Sequence, residues 1–157
     1  MARARHAAYF LRWTAGGEQP PQPFQPPQRL MPFLADRDNL SLALTWCDEQ
    51  GDIEALLRLS IVLAALDFEP GRFSEALQRL EHALARSVGT ISAARVLALA
   101  IATVMAVYQG DFGGAERYSN EGVAQSQELG DPFRRDAFRQ PRRLLPKYRK
   151  HSAKEFR

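Results

Sequence analysis

The chain has 157 residues, 45% of them hydrophobic, which is enough for one domain with a packed core, and its formal net charge is +3. A single cysteine, Cys47, excludes an internal disulfide and a cysteine-paired metal centre, so packing alone must hold the fold. The most apolar stretch, Val96 to Tyr108, is far shorter than the roughly 20 residues that cross a bilayer, and Arg3, Arg5 and Arg12 interrupt the start of the chain where a secretion leader needs an apolar core. These features predict a cytoplasmic location and no membrane partner.

Charge is unevenly spread. From Pro132 onward ten basic residues stand against two acids, a net +8, so within a total of +3 the rest of the chain carries −5. A mildly acidic body therefore bears a strongly basic end.

In chain order, Ala4 to Trp13 can form a short helix with Tyr9, Phe10 and Trp13 on its apolar side, ended by Gly16-Gly17. Pro20, Pro21, Pro23, Pro26, Pro27 and Pro32 exclude a helix from the next segment, which reads as an extended spacer; its Pro23-to-Pro26 spacing is also compatible with a polyproline ligand. Asp36 or Asp38 can cap a helix reaching Gln50, with Leu40, Ala43, Leu44 and Cys47 on one face. Gly51-Asp52 stops it. A helix from Ile53 to Phe68 is apolar around most of its circumference and predicts burial on several sides. The next, Arg72 to Ser87, is amphipathic: Phe73, Ala76, Leu77, Leu80, Ala83 and Leu84 line one face, with Arg72, Glu75, Gln78 and Arg79 turned outward. Another apolar helix, Ser92 to Gln109, is separated by Gly110-Asp111 from a last one, Phe112 to Leu129. The expected organisation is an N-terminal helix (1–15), a proline-rich linker (16–35), an all-α repeat domain (36–131) and a basic tail (132–157) read as disordered.

The helices repeat. Ala64, Gly71, Phe73, Ala76 and Ala83 match Thr103, Gly110, Phe112, Ala115 and Gly122, each pair 39 positions apart. Such a register describes a helical hairpin: a small residue lets the second helix approach, glycine makes the turn, an aromatic enters the second helix and small residues seat it. The GDF at Gly110 to Phe112, followed by Ala115 and Gly122, resembles the turn and second helix of tetratricopeptide repeats. The resemblance implies a right-handed stack of antiparallel helix hairpins. It has departures: Ser60 and Leu99 stand where that family has a large aromatic, and the spacing of 39 exceeds the usual length of about 34.

A narrower resemblance runs through RARHAAYFL (Arg3 to Leu11), DRDNLSLALTWCDEQGD (Asp36 to Asp52), GRFSEALQRLEHALA and YQGDFGGAERYSNEGVAQSQELGD. These strings are similar to the helical region that follows the nucleotide-binding part of bacterial STAND-class regulatory ATPases, notably LuxR-type transcriptional regulators. The resemblance implies a sensor or regulatory region that binds a protein or peptide segment, a second copy of itself included. Neither a G-x-x-x-x-G-K-[ST] phosphate loop nor a separate helix-turn-helix is present in the sequence, so the expected function is that of a scaffold without its ATPase or DNA-binding parts. Family geometry then places the binding surface on a concave side formed by Ile61, Ala65, Phe68, Ala100, Val104 and Tyr108, an apolar set suited to an amphipathic helix or hydrophobic peptide.

Catalytic and cofactor chemistry find little support. His6, His82 and His151 lie in unrelated segments, without the spacing that puts two ligands on one helical face. Asp48, Glu49, Asp52 and Glu54 cluster at a turn, where solvated helix ends account for them. No nucleophile elbow surrounds any serine, and Cys47 falls on an apolar stripe as a packing thiol. No enzyme, metal or cofactor is expected. The alternative is sequence-independent nucleic-acid binding by Arg134, Arg135, Arg142, Arg143, Lys147, Arg149 and Lys150, interleaved with aromatic residues; the acidic body makes it weak at most. With no further repeat to cover it, the outer face of Phe112 to Leu129 is expected to self-associate or to be unstable without a partner.

Overall fold

A computed structural model of the chain describes residues 2–15, 33–68, 71–130 and Phe138. The prolines of the linker and the basic residues of the tail lie outside the described residues. Those described form six helices and no strand: α1 (Ala2–Ala15), α2 (Arg37–Gln50), α3 (Ile53–Leu66), α4 (Phe73–Arg86), α5 (Ala93–Gln109) and α6 (Phe112–Glu128). None is long and apolar enough to cross a membrane. The protein is all-helical, and it divides into two compact units that meet in sequence at Ser87 and Val88.

The first unit is layered around α3. Leu56, Leu57, Leu59, Ser60, Ile61, Val62 and Leu63 are all buried in it, as expected of a helix that is apolar all round. Two-residue connection by Gly51-Asp52 makes α2 and α3 antiparallel neighbours, and their ends confirm it: Arg37 at the start of α2 pairs with Asp67 just past α3. Asp48 near the end of α2 meets His82 and Arg86 near the end of α4, so α2 and α4 run the same way with α3 opposed to both. α1 closes the unit. Its Ala7 and Phe10 join Leu40, Ala43 and Cys47 of α2 and Ala55, Leu59, Val62, Leu63 and Leu66 of α3 in one cluster. Tyr9, expected on the apolar side of α1, is largely exposed; the helix turns Ala7 inward instead.

The second unit is the α5/α6 hairpin. α6 buries Gly114, Ala115, Ser119, Gly122 and Ser126, a stripe of small residues, and at Gly122 the group that covers it is the Phe138 ring. Small residues there bring the two backbones close. Thr103 of α5 is fully buried and donates its hydroxyl to Leu99 O at 2.7 Å, which removes the cost of an unpaired buried group.

Turn chemistry recurs at two hairpins. Gly51 and Gly110 adopt left-handed backbone (φ 71° and 78°), and the aspartate after each caps the next helix, Asp52 accepting from Ala55 N–H at 3.1 Å and Asp111 from Gly114 N–H at 2.9 Å. The connection between α3 and α4 differs. Gly71, matched to Gly110 by sequence, has no positive φ, and Arg72 precedes α4 without a side-chain cap. Asp36 likewise makes no cap to α2; its Oδ1 accepts from the Asn39 side chain at 2.8 Å. The rest of the 39-residue register agrees in packing: Ala64 and Thr103, Ala76 and Ala115, and Ala83 and Gly122 are buried pair by pair, and Phe73 and Phe112 each open a helix half-buried. One consequence is measurable by urea denaturation. Gly110→Ala should cost about 1 kcal/mol through left-handed strain, whereas Gly71→Ala, with open space around a new Cβ, should be close to neutral.

Candidate functional site

The six apolar residues assigned to a binding face meet different fates. Ile61 and Ala65 of the first unit are buried, and so is Ala100 of the second. Phe68 is half-buried with its ring tilted against Phe73, centroids 4.9 Å apart. Val104 is half-buried, and Tyr108, one turn further along α5, is 55% exposed. Within the second unit, Val104 and Tyr108 thus form a short exposed ridge near the end of α5. Arg134, Arg135, Arg142, Arg143, Lys147, Arg149 and Lys150 lie outside the described residues.

A second apolar surface, absent from the sequence reading, lies in the first unit. Ala2, Arg3 and His6 of α1 and Leu42, Thr45, Trp46 and Glu49 of α2 line an open cleft of about 530 Å³. Leu42 is 64% exposed there, and Trp46 is partly buried against the core. A lining that mixes apolar side chains with Arg3 and Glu49 suits an amphipathic segment better than a small polar substrate.

Charged side chains elsewhere in the first unit are committed to the fold. Asp67, wholly buried, accepts from Arg37 Nε and Nη2 at 2.8 and 2.9 Å, from Arg79 at 3.0 Å and from Arg72 at 3.3 Å. Burial alone would raise its pKa; the hydrogen bonds from Arg37 and Arg79 outweigh that and hold it below the ordinary carboxylate value. The Asp67 hydrogen bond also leads the causes that hold Arg37 above its own ordinary value. Arg79 therefore does not face outward, as the amphipathic pattern of α4 implied, but bends back to this carboxylate.

Asp48 is tied similarly. His82 Nε2 lies 2.7 Å from its Oδ2 and Arg86 Nε donates to Oδ1 at 3.0 Å; burial opposes ionisation here, and these partners overcome it to lower the pKa. Of the other acids at this turn, Asp52 is a helix cap and Glu54 pairs with Arg58 at 3.1 Å. Cys47 is buried and its thiol is pushed up, by burial first and by Asp52 second, which suppresses the nucleophilic thiolate. Among the described residues no three His, Cys, Asp or Glu side chains are placed to hold a metal ion.

Compared with models of known protein families, with curated proteins and with solved structures, the chain gives no match to any of the three.

Proposed function

We propose that the chain is a protein-interaction module of tetratricopeptide-like type, a repeat region of the kind that receives a partner segment in signalling or transcription-regulating proteins. The observation that carries this reading is the shared packing of two helix hairpins. Three pairs of small buried residues and an aromatic at the head of each second helix recur 39 residues apart. Repetition of one hairpin supports a scaffold, because each copy presents the same kind of helix face to a ligand. Among the described residues, Asp52 caps a helix, Asp67 is tied to three arginines and Asp48 to His82 and Arg86. Binding, not catalysis, is the activity this arrangement serves, and the ligand class is an amphipathic helix or hydrophobic peptide.

Tyr108 offers the cleanest test, since its exposure lets it change without opening the core. Tyr108→Glu should leave the circular dichroism spectrum unchanged and weaken capture of a partner by about tenfold or more, the size typical of losing an aromatic anchor. Retention of every captured partner by the folded variant would remove the α5 ridge as the binding surface.

A further inference from the structure

Along α2, Asp38, Leu42, Thr45 and Glu49 follow a four-three-four spacing, which sets them on one stripe opposite the Leu40, Ala43 and Cys47 that the helix buries. Leu42, Thr45 and Glu49 of this stripe, with Trp46, form one side of the α1/α2 cleft; Ala2, Arg3 and His6 of α1 form the other. The cleft is open. Leu42 is 64% exposed and Trp46 is only partly buried, so apolar surface bordered by charge faces outward, the arrangement of an interaction surface.

Charge decides what can cover it. α1 carries Arg3, Arg5 and Arg12 and no acid, and of these Arg3 lines the cleft beside His6, whose ring packs edge-on against Phe10. The charged members of the α2 stripe are both acids, Glu49 and the fully exposed Asp38, which Arg37 reaches only at 4.0 Å. The other charges of α2 are committed elsewhere, Arg37 to Asp67 at 2.8 Å and Asp48 to His82 and Arg86. Among the described residues neither Arg3 nor Glu49 has an ion-pair partner, although both line one cleft. A ligand of single sign, an acidic peptide or a nucleic acid, would satisfy one wall and meet like charge at the other. Both walls are satisfied by a surface that carries the two signs in reversed order. A two-fold axis supplies that surface from the chain itself, because in an isologous contact residue i meets j and j meets i.

We propose that the α1/α2 cleft is one half of a symmetric interface and that its occupant is the same cleft of a second copy of this chain. Arg3 of each copy pairs with Glu49 of the partner subunit, twice over, while Leu42 and Trp46 from both sides supply the apolar centre. Two helices of 14 residues, each about 21 Å long, make a small face by the standard of specific interfaces, so the dimer is a reversible one. This interface belongs to the first unit and holds whether or not the Tyr108 ridge takes a partner.

Sedimentation velocity of the full-length chain, from about 1 μM to about 1 mM, tests this. The wild type should pass from monomer to dimer across that range. Arg3→Glu and Glu49→Arg should each weaken dimerisation by about tenfold or more, because every substitution acts at two contacts and replaces attraction by repulsion. Both are surface positions, and circular dichroism should not change. An equimolar mixture of the two variants should regain the wild-type dimer, since one then carries two acids and the other two bases at the facing positions. Mixing could not restore a contact made within one chain. The double variant Arg3→Glu/Glu49→Arg should also dimerise, and Leu42→Glu should not. A wild type that stays monomeric throughout the range, or single variants whose mixture associates no better than either alone, would overturn the proposal. A dimer indifferent to Leu42→Glu would place self-association on another face, such as the outer side of α6, and likewise overturn it.

Discussion

Asp67→Asn should destabilise the first unit by about 3 kcal/mol, the lower end of what removing one partner of a buried ion pair costs. The carboxylate is wholly buried and carries four hydrogen bonds from three arginines, of which an amide can satisfy only part while pointing its own N–H groups at the remaining donors. The effect stays near that lower end because Arg37, Arg72 and Arg79 keep some contact with water and can rehydrate. Since the same residue ties the start of α2 and the middle of α4 to the end of α3, hydrogen exchange should rise across all three helices and not at one terminus.

The pH dependence follows in sign. Asp67 holds its proton less readily in the folded chain than in the unfolded one, so acid favours unfolding. Its contribution is complete above the ordinary carboxylate range, is lost as pH falls through about 4 toward the depressed folded value, and Asp48 adds in the same direction. In urea titrations the gap between wild type and Asp67→Asn should be constant from pH 6 to 7 and shrink below about pH 4. A gap that persists unchanged into acid would mean that the carboxylate's charge is not what holds the three helices.

Helix periodicity and turn residues made the six helices legible, because Gly51-Asp52 and Gly110-Asp111 act locally: each glycine supplies the left-handed turn and each aspartate the following cap. The α3–α4 connection was not legible in the same way. Gly71 matches Gly110 in register, yet it has no positive φ, and the aspartate that ties this end of α3 to α4, Asp67, precedes the glycine. Long-range ties hide for a related reason. Arg37 and Asp67 are 30 residues apart, and the helical pattern of α4 alone marks Arg79 as a surface residue. Apolar character alone does not separate lining from packing: Ile61, Ala65 and Ala100 are buried, whereas Val104 is half-buried and Tyr108 exposed. The α1/α2 cleft was not legible because its exposed Leu42 lies away from the stripe of Leu40, Ala43 and Cys47 that α2 buries.

Phe10→Ala should cost the first unit about 3 kcal/mol, since a phenylalanine removed from a closed core leaves a cavity as well as losing its transfer energy. Phe10 is nearly inaccessible, meets His6 edge-on with centroids 4.8 Å apart, and shares a cluster with Leu40 and Ala43 of α2 and Leu59 and Val62 of α3. Composition places α1 apart from the repeats, beyond a proline-rich spacer; packing makes it the cover of the α2/α3 layer. The two descriptions differ in what the substitution does. If α1 is a cover, its loss uncovers Leu40, Ala43 and Leu59 together, and amides of α2 and α3 should exchange faster along with those of α1. If α1 is an appendage, only its own amides should change. Exchange confined to residues 2–15, with the urea midpoint of the rest of the unit unmoved, would therefore return α1 to the status of a separate element and leave the α2/α3 core to stand without it.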